Sequence, residues 1–214
     1  MPRELQDLPY AAYLEPLTGD LGREGDYDGV HLRDVTFDEV NTVGARFMES
    51  AFQQVTINDS RMDRSRYNDV WFHTVRWIGV NLAETDWFDV EVISSAMSGV
   101  PMFGSRVHQV TFHNCKLDSV NLRSATLRNV TFEDCLLRGV DFAGATLKEV
   151  TFPGSELEEV RFDKAQLTKV DFRGARSMGI ADGLESLKGA TISMTQLFDL
   201  APRMAHALGI TVRD

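Results

Sequence analysis

Residues 125–149 read ATLRN VTFED CLLRG VDFAG ATLKE, five consecutive pentapeptides that share one pattern. The third residue of each pentapeptide is Leu or Phe, and the first is Ala, Val or Cys. Neither the 3.6-residue period of an amphipathic helix nor the two-residue period of a strand fits this pattern. An internal repeat of five residues therefore decides the fold of this part of the chain.

The same pattern continues in both directions from this stretch. Every fifth residue from Leu32 to Phe172 is apolar or aromatic, with Thr42 as the single exception among 29 positions. Two residues before each of these lies a second column, from Val30 to Val170, which contains only Val, Ala, Ser, Thr or Cys. Charged residues, Asn and Gly are frequent between the columns. We expect both columns to face a core and the intervening residues to face solvent.

The repeats resemble a known family. The pentapeptides ATLRN (125–129) and AQLTK (165–169) look like the A(D/N)LXX motif of the pentapeptide-repeat family, and the resemblance covers about residues 27–176. It implies an all-β fold, a right-handed quadrilateral β-helix with one pentapeptide on each side and 20 residues in each coil. Just over seven coils follow for this chain, and a coil spacing of about 4.8 Å would make them a rod of roughly 35 Å.

The four sides of such a coil are named here by their central residues. Side 1 carries Phe112, side 2 Leu117, side 3 Leu122 and side 4 Leu127, together with the residues 20 positions before and after each. From Val90 onward the second column alternates between Val and the smaller or more polar residues with a period of ten, so opposite sides are alike. Identical side chains are therefore expected to stack from coil to coil.

The segments 1–26 and 177–214 break the period and are expected to cap the two ends, because open sheet edges invite pairing with other chains. The apolar residues of the N-terminal cap are Leu5, Leu8, Tyr10, Tyr13, Leu14 and Leu17. At the other end, Ser193 and Gln196 have capping-box spacing and Gly209 suits the position after a helix. The sequence predicts one helix from Met194 to Leu208, followed by a short strand.

The apolar face of this helix has two alternative roles. It consists of Leu197, Leu200, Met204, Ala207 and Leu208. Capping of the last coil explains it, and the face is also wide enough to meet a second copy. The segment LKGATISMTQLFDLAPRMAHALGITV (187–212) is similar to the tail of actinobacterial pentapeptide-repeat proteins, some of which dimerise tail to tail. That resemblance favours a homodimer through the C-terminal segment.

Composition limits the partners. The net charge of −10 and pI of about 5.0 argue against direct binding of nucleic acid or anionic lipid, so neutral or basic partners are expected. The N-terminus MPRELQDLPY does not resemble a signal peptide, and no apolar stretch is long enough to cross a membrane. These features predict a cytoplasmic protein.

Motifs for catalysis, metal binding or cofactor binding are not found. Cys115 and Cys135 fall in one inward column on adjacent coils, where they are expected to be free thiols. The histidines show no metal-ligand spacing and are expected at the solvated surface; they are His31, His73, His108, His113 and His206. The sequence contains no nucleophile elbow, phosphate loop or dinucleotide fingerprint, which indicates a protein without a cofactor that is not an enzyme.

Charges are unevenly distributed over the four sides. On side 1 two arginines stand against five carboxylates, a net of −3, and on side 2 three basic residues stand against seven carboxylates, a net of −4. Sides 3 and 4 each have a net charge of +1. The candidate partner-binding residues on the two acidic sides are Asp38, Glu39, Asp59, Glu91, Asp118, Glu133, Asp134, Glu156, Glu158 and Glu159. The alternative is that these charges only keep the rod soluble.

A second candidate surface lies in the middle coils, where apolar residues occupy columns that should face water. These residues are Trp71, Ile78, Phe88, Ile93 and Phe103. They are interpreted either as an exposed contact patch or as a local distortion that accommodates large side chains.

The family resemblance suggests a function for the acidic sides. Quinolone-resistance members of the family resemble duplex DNA and bind the DNA-binding surface of type II topoisomerases. The resemblance therefore implies a DNA mimic that binds DNA gyrase and protects it from quinolone-like inhibitors. A DNA duplex of about 35 Å would carry roughly 20 phosphates, so any mimicry by seven net charges is partial. The alternative function is a structural interaction module with a partner unrelated to topoisomerases.

Overall fold

The chain forms a parallel β-solenoid of about eight turns in the computed structural model, which describes residues 2–207 and 209–213. Neighbouring coils pair with an offset of 20 residues, as Thr36 does with Thr56 and Val110 with Val130. The offset is four pentapeptides, so each coil is a square of four sides. The predicted all-β pentapeptide solenoid is confirmed.

Most of the strands have three residues, so each of these lies on one side of the coil. In chain order the strands are β1 (Glu15–Pro16), β2 (Asp26–Asp28), β3 (Val30–Arg33), β4 (Thr36–Asp38), β5 (Arg46–Met48), β6 (Ala51–Gln53), β7 (Thr56–Asn58), β8 (Arg66–Asn68), β9 (Trp71–His73), β10 (Arg76–Ile78), β11 (Asp86–Ile93), β12 (Ala96–Ser98), β13 (Arg106–His113), β14 (Lys116–Asp118), β15 (Thr126–Glu133), β16 (Leu136–Arg138), β17 (Thr146–Thr151), β18 (Glu156–Arg161), β19 (Gln166–Thr168), β20 (Val170–Asp171), β21 (Ser177–Asp182) and β22 (Ala190–Thr191). The helical elements are 3-10 turns at Leu5–Asp7, Ala11–Tyr13 and Leu184–Leu187, and one α-helix, α1 (Met194–Ala207).

The strands form two sheets. Side 2 is an eight-stranded parallel sheet in the order β21-β18-β16-β14-β12-β10-β7-β4. Sides 4 and 1 belong to one 14-stranded sheet, because strands such as β11, β13 and β15 run from one side to the next. Side 3 is joined by isolated bridges, for example between Asn121 and Asp141. Side 2 therefore has a sheet of its own, whereas sides 4 and 1 share one.

The core consists of the two predicted columns. From Ala45 to Phe172 every residue of both columns is buried. Phe112, Phe132, Phe152 and Phe172 stack on side 1 with ring centroids 4.9, 5.3 and 4.9 Å apart, close to the coil spacing. The predicted stacking of identical side chains is confirmed.

Each pentapeptide ends in a left-handed turn. From Glu24 to Lys169 every fifth residue has a positive φ, and 22 of these 30 residues are not glycine. The N–H of the turn residue donates to a carbonyl of the next coil, as Asp34 N does to Gln53 O at 3.0 Å. The left-handed conformation costs an L-residue about 1–2 kcal/mol, so this bond and the burial of the two columns must offset it.

Serine and cysteine in the inner column complete the backbone hydrogen bonding at the corners. Ser155 Oγ donates to Phe132 O at 2.7 Å and accepts from Cys135 N at 2.9 Å. Cys135 Sγ has the same relation to Phe112 O and Cys115 N, at 3.4 Å each. A small polar side chain in this column therefore links two coils.

The N-terminal segment does not cap the first coil as a whole. Leu17 and Leu21 pack against the end of the main core. Residues 3–14, called the strap from here on, lie along the outside of side 1 instead. The residues of the strap that pack there are Leu5, Leu8, Tyr10, Ala11 and Leu14. The prediction that Leu5, Leu8, Tyr10 and Leu14 cover the coil end is wrong, because outward apolar residues on side 1 provide a groove for them. Tyr13 is 77% exposed and covers nothing.

The C-terminal segment continues the solenoid before it caps it. β21 and β22 add to side 2 and side 1, and β21 pairs with β18 through register shifts that break the five-residue period. Helix α1 begins with the predicted capping box, in which Ser193 N donates to Gln196 Oε1 at 2.9 Å and Gln196 N to Ser193 Oγ at 3.2 Å. Leu200 is buried against the core and Met204 packs beside it.

The predicted strand after the helix is not formed by residues 209–213, which belong to no regular element. Among the described residues, no helix has the length and apolar character needed to cross a bilayer.

Gly99→Val tests the left-handed turn. Gly99 has φ of +62°, and a Cβ added there meets nothing within 4 Å, so the cost is conformational. We expect a loss of about 1–2 kcal/mol in the free energy of unfolding, measured by chemical denaturation. The matched control is Ser98→Val, in which the same side chain enters an exposed strand position and changes stability by less than about 0.5 kcal/mol. Equal losses in the free energy of unfolding for the two variants would show that the left-handed conformation at residue 99 is not what makes the substitution costly.

Ser155→Ala tests the coil-linking hydrogen bonds. The change leaves Cys135 N and Phe132 O without the Ser155 hydroxyl. We expect a loss of about 1–3 kcal/mol in the free energy of unfolding. Ser98→Ala, at an exposed position, serves as the control and should be nearly neutral. A neutral Ser155→Ala variant would contradict a stabilising role for these hydrogen bonds.

Candidate functional site

Most carboxylates of side 1 lie within 4 Å of an arginine, and His113 contacts two of them. Glu91 is buried, and Arg3 of the strap binds it through Nε at 3.0 Å from Oε2. His113 Nδ1 lies 2.7 Å from Glu133 Oε2, and its Nε2 lies 3.4 Å from Glu91 Oε1. Arg176 Nη2 lies 2.8 Å from Asp134 Oδ1. Side 1 is therefore a poor candidate for an acidic contact surface.

His113 differs from the expectation of a solvated surface histidine. Its side chain is only 13% exposed because it lies between Glu91 and Glu133. The sequence could have indicated this contact, since the three residues occupy neighbouring coils on side 1.

Side 2 keeps most of its negative charge. In the described chain, no cation lies within 4 Å of the carboxylates of Asp38, Glu39, Asp59, Asp118 or Glu159. Glu158 pairs with Arg138, with Nε 2.8 Å from Oε2, and this hydrogen bond raises the pKa of the Arg138 guanidinium. Glu156 has a long contact of 3.9 Å to Arg176.

The carboxylates of side 2 form two clusters on one flat sheet. The N-terminal acidic cluster contains Asp38, Glu39 and Asp59, on the coils of β4 and β7. The C-terminal acidic cluster contains Asp118, Glu156, Glu158 and Glu159, on the coils of β14 and β18. The centres of the clusters are four to five coils apart, or roughly 20 Å at the usual strand spacing. Arg76 and small residues such as Ala96, Ser98 and Gly99 lie between them, and Lys116 lies beside Asp118.

The predicted apolar patch is not one surface. Trp71 and Ile93 are buried at 2% and 6% exposure because the strap covers them, so their predicted exposure is wrong. Ile78, Phe88 and Phe103 are exposed, but they lie on sides 2, 4 and 3 respectively. Three separated side chains do not make a contact patch.

The C-terminal helix divides its apolar residues between two faces. Leu200 and Met204 pack on the solenoid, and the buried Gln196 also caps it by donating from Nε2 to Phe172 O at 2.7 Å. Met194, Leu197 and Phe198 are 66%, 40% and 71% exposed. Ala207 is exposed, and Leu208 lies outside the described residues. The predicted apolar face is centred on Leu200 and therefore does not include the exposed residues Met194 and Phe198.

The remaining candidates for chemistry have structural explanations. Cys115 and Cys135 are buried and free, as predicted. The pKa of the Cys135 thiol is raised, first by its side-chain interaction with the Cys115 thiol and then by burial. Among the described residues, no group of three or more His, Cys, Asp or Glu side chains could hold a metal ion. A hollow of about 480 Å³ lies between β21 and α1, beside Asp182 and Arg203.

Comparison with known proteins agrees with the repeat. A family model of the pentapeptide repeat region matches residues 85–162 and 105–180. No curated protein matches the sequence.

Solved structures with low similarity to this chain were also found. HetL, a pentapeptide repeat protein involved in heterocyst differentiation regulation in Nostoc sp. strain PCC 7120, is 15% identical, with 79% of this chain and 90% of HetL covered and a TM-score of 0.38. The plasmid-mediated fluoroquinolone resistance protein QnrB1, in a trypsin-treated variant form, is 15% identical. The match covers 89% of this chain and 100% of the QnrB1 chain, with a TM-score of 0.40. The A-module of the mannuronan C-5 epimerase AlgE4 of Azotobacter vinelandii is 11% identical. The match covers 78% of this chain and 64% of the AlgE4 chain, with a TM-score of 0.40.

The family assignment rests on the repeat itself. The matched region and the structure share the same five-residue unit, with two buried columns and parallel coils offset by 20 residues. Residues 85–180 match the pentapeptide-repeat family, and the same five-residue unit continues through the rest of the solenoid.

Proposed function

We propose that this protein is a non-enzymatic protein-binding solenoid that contacts its partner through side 2. The observation that carries the proposal is the pair of acidic clusters, whose carboxylates are mostly unpaired on a single flat sheet. A flat sheet with fixed charges is preorganised for binding, because its backbone and turns do not have to be ordered on contact.

The chemistry of side 2 favours a basic partner. Two clusters roughly 20 Å apart complement a surface with two separated groups of Lys and Arg residues. A DNA-binding surface has this character, and DNA gyrase is the partner that the family resemblance suggests. Binding there would exclude DNA and protect the enzyme from quinolone-like inhibitors. The mimicry is partial, because seven clustered carboxylates replace a much denser row of phosphates.

Binding to purified DNA gyrase at two salt concentrations, with and without competing DNA, tests this proposal. We expect affinity to fall as salt rises, because exposed charges are screened, and competing DNA to displace the protein. The triple variant Asp38→Asn, Glu39→Gln, Asp59→Asn removes the N-terminal acidic cluster. At about 0.5 kcal/mol for each exposed charge, it should bind about tenfold more weakly.

The chain offers a matched control on the opposite side. Glu49, Asp69 and Asp89 occupy the same left-handed turn position on three successive coils of side 4. The variant Glu49→Gln, Asp69→Asn, Asp89→Asn removes the same net charge and should bind gyrase as the wild type does. Equal losses in both variants would indicate a general charge effect, and absence of binding by the wild type would contradict gyrase as the partner.

We also propose that two copies associate through the outer face of α1. Met194 and Phe198 lie four residues apart on one exposed face of α1, and Leu197, which is 40% exposed, lies at the edge of that face nearest to Leu200. A dimer built this way would place the contact at the end of the rod and leave side 2 free.

Phe198→Asp tests the dimer. We expect the wild type to elute as a dimer in light-scattering chromatography and the variant as a monomer, because a charge would be buried in an apolar contact. The control Phe88→Asp changes an exposed phenylalanine on side 4 and should leave the mass unchanged. A monomeric wild type at micromolar concentration would overturn the proposal.

A further inference from the structure

The groove beneath the strap is not part of the solenoid core. Its floor consists of Ala51, Trp71 and Ile93, which form a hydrophobic cluster separate from the main core. These residues occupy outward columns of side 1, where later coils carry polar residues such as Thr131 and Glu133. The core columns beneath are complete without them, so the groove serves only to hold what lies on it.

The strap binds this groove as a peptide ligand would. Its main chain makes no strand pairing with the solenoid among the described residues before Glu15. Its hydrogen bonds are instead largely internal, as Leu8 N donates to Leu5 O and Tyr13 N to Tyr10 O. Leu8 and Tyr10 fill the groove and are 4% and 6% exposed. Burial also raises the pKa of the Tyr10 phenol.

Hydrogen bonds at Arg3 fix the orientation of the strap. Arg3 N and Nε donate to the two carboxylate oxygens of Glu91 at 3.2 and 3.0 Å, and Trp71 Nε1 donates to Arg3 O at 3.1 Å. His113 supports Glu91 from the other side. A charged hydrogen-bonded pair at one end of an apolar groove is a common means of peptide recognition.

We propose that this groove is a peptide-docking site, which the strap occupies in cis and a partner protein's segment of the same chemistry occupies in trans. The geometry of the strap defines that chemistry: an arginine for Glu91, followed by apolar or aromatic residues two, five and seven positions later, as Leu5, Leu8 and Tyr10 follow Arg3. The strap thus controls access to a second contact surface on side 1. This inference does not rest on the function proposed for side 2.

A labelled synthetic peptide of residues 2–14, PRELQDLPYAAYL, is the probe. It is titrated into the full-length wild type and into the full-length variant Arg3→Ala, Leu8→Asp, whose own strap is weakened. We expect saturable binding to the variant and at least tenfold weaker binding to the wild type, because the cis strap competes for the groove. Arg3→Ala alone is the milder variant if the double change impairs folding.

Substitutions in the groove locate the binding. Adding Glu91→Gln to the weakened variant should reduce peptide affinity at least about tenfold, because a charged hydrogen bond is lost. The matched control Glu84→Gln lies on side 3 and should leave affinity unchanged. Equal binding by the wild type and the weakened variant, or no binding by a folded weakened variant, would overturn the proposal.

Tryptophan fluorescence reports release of the strap directly. Trp77 and Trp87 are buried in the main core, so Trp71 is the one tryptophan that strap release exposes. We expect acrylamide to quench the weakened variant more strongly than the wild type, and added peptide to reverse the difference. Quenching that is unchanged in the variant would show that the strap does not leave the groove and would also overturn the proposal.

Discussion

The left-handed turn at the end of each pentapeptide is the constraint on which the rest of this structure depends. It turns the chain through one corner of the square, so the first and third residues of the next pentapeptide again point inward. It also directs the turn N–H to a carbonyl of the next coil. Because the turn recurs every five residues, both columns stack in register over the length of the rod, and Phe112 meets Phe132 rather than a different side chain.

Periodic features could be predicted from the sequence because each depends only on local spacing. The two buried columns, the stacked phenylalanines and the capping box of α1 are all of this kind. The left-handed turns were less apparent, because most of the 30 turn residues are not glycine and Glu, Lys and Thr all occur there. At these positions the stacking of coils overrides the preference of the single residue.

Aperiodic contacts could not be predicted. Arg3 and Glu91 are 88 positions apart, and nothing in the spacing of either residue identifies the other as its partner. The sequence did mark Trp71 and Ile93 as apolar residues in outward columns, but exposure and coverage by a distant segment produce the same pattern. Pairing of Asp134 with Arg176 has the same character, and it is why side 1 appeared more acidic in the sequence than it is in the structure.

The outward columns are where this solenoid can differ in function from any other solenoid with the same core. Coil stacking fixes the inner columns, whereas the two outward positions of each strand carry apolar, polar and charged side chains in this chain. On side 1 these positions form a groove that the strap already fills, so contact with a partner there requires displacement of a segment. On side 2 they present unpaired carboxylates, so contact requires only the approach of a basic surface. The two sides are adjacent but use different physical forces, burial of apolar area and charge complementarity, and they are therefore suited to partners of different chemistry.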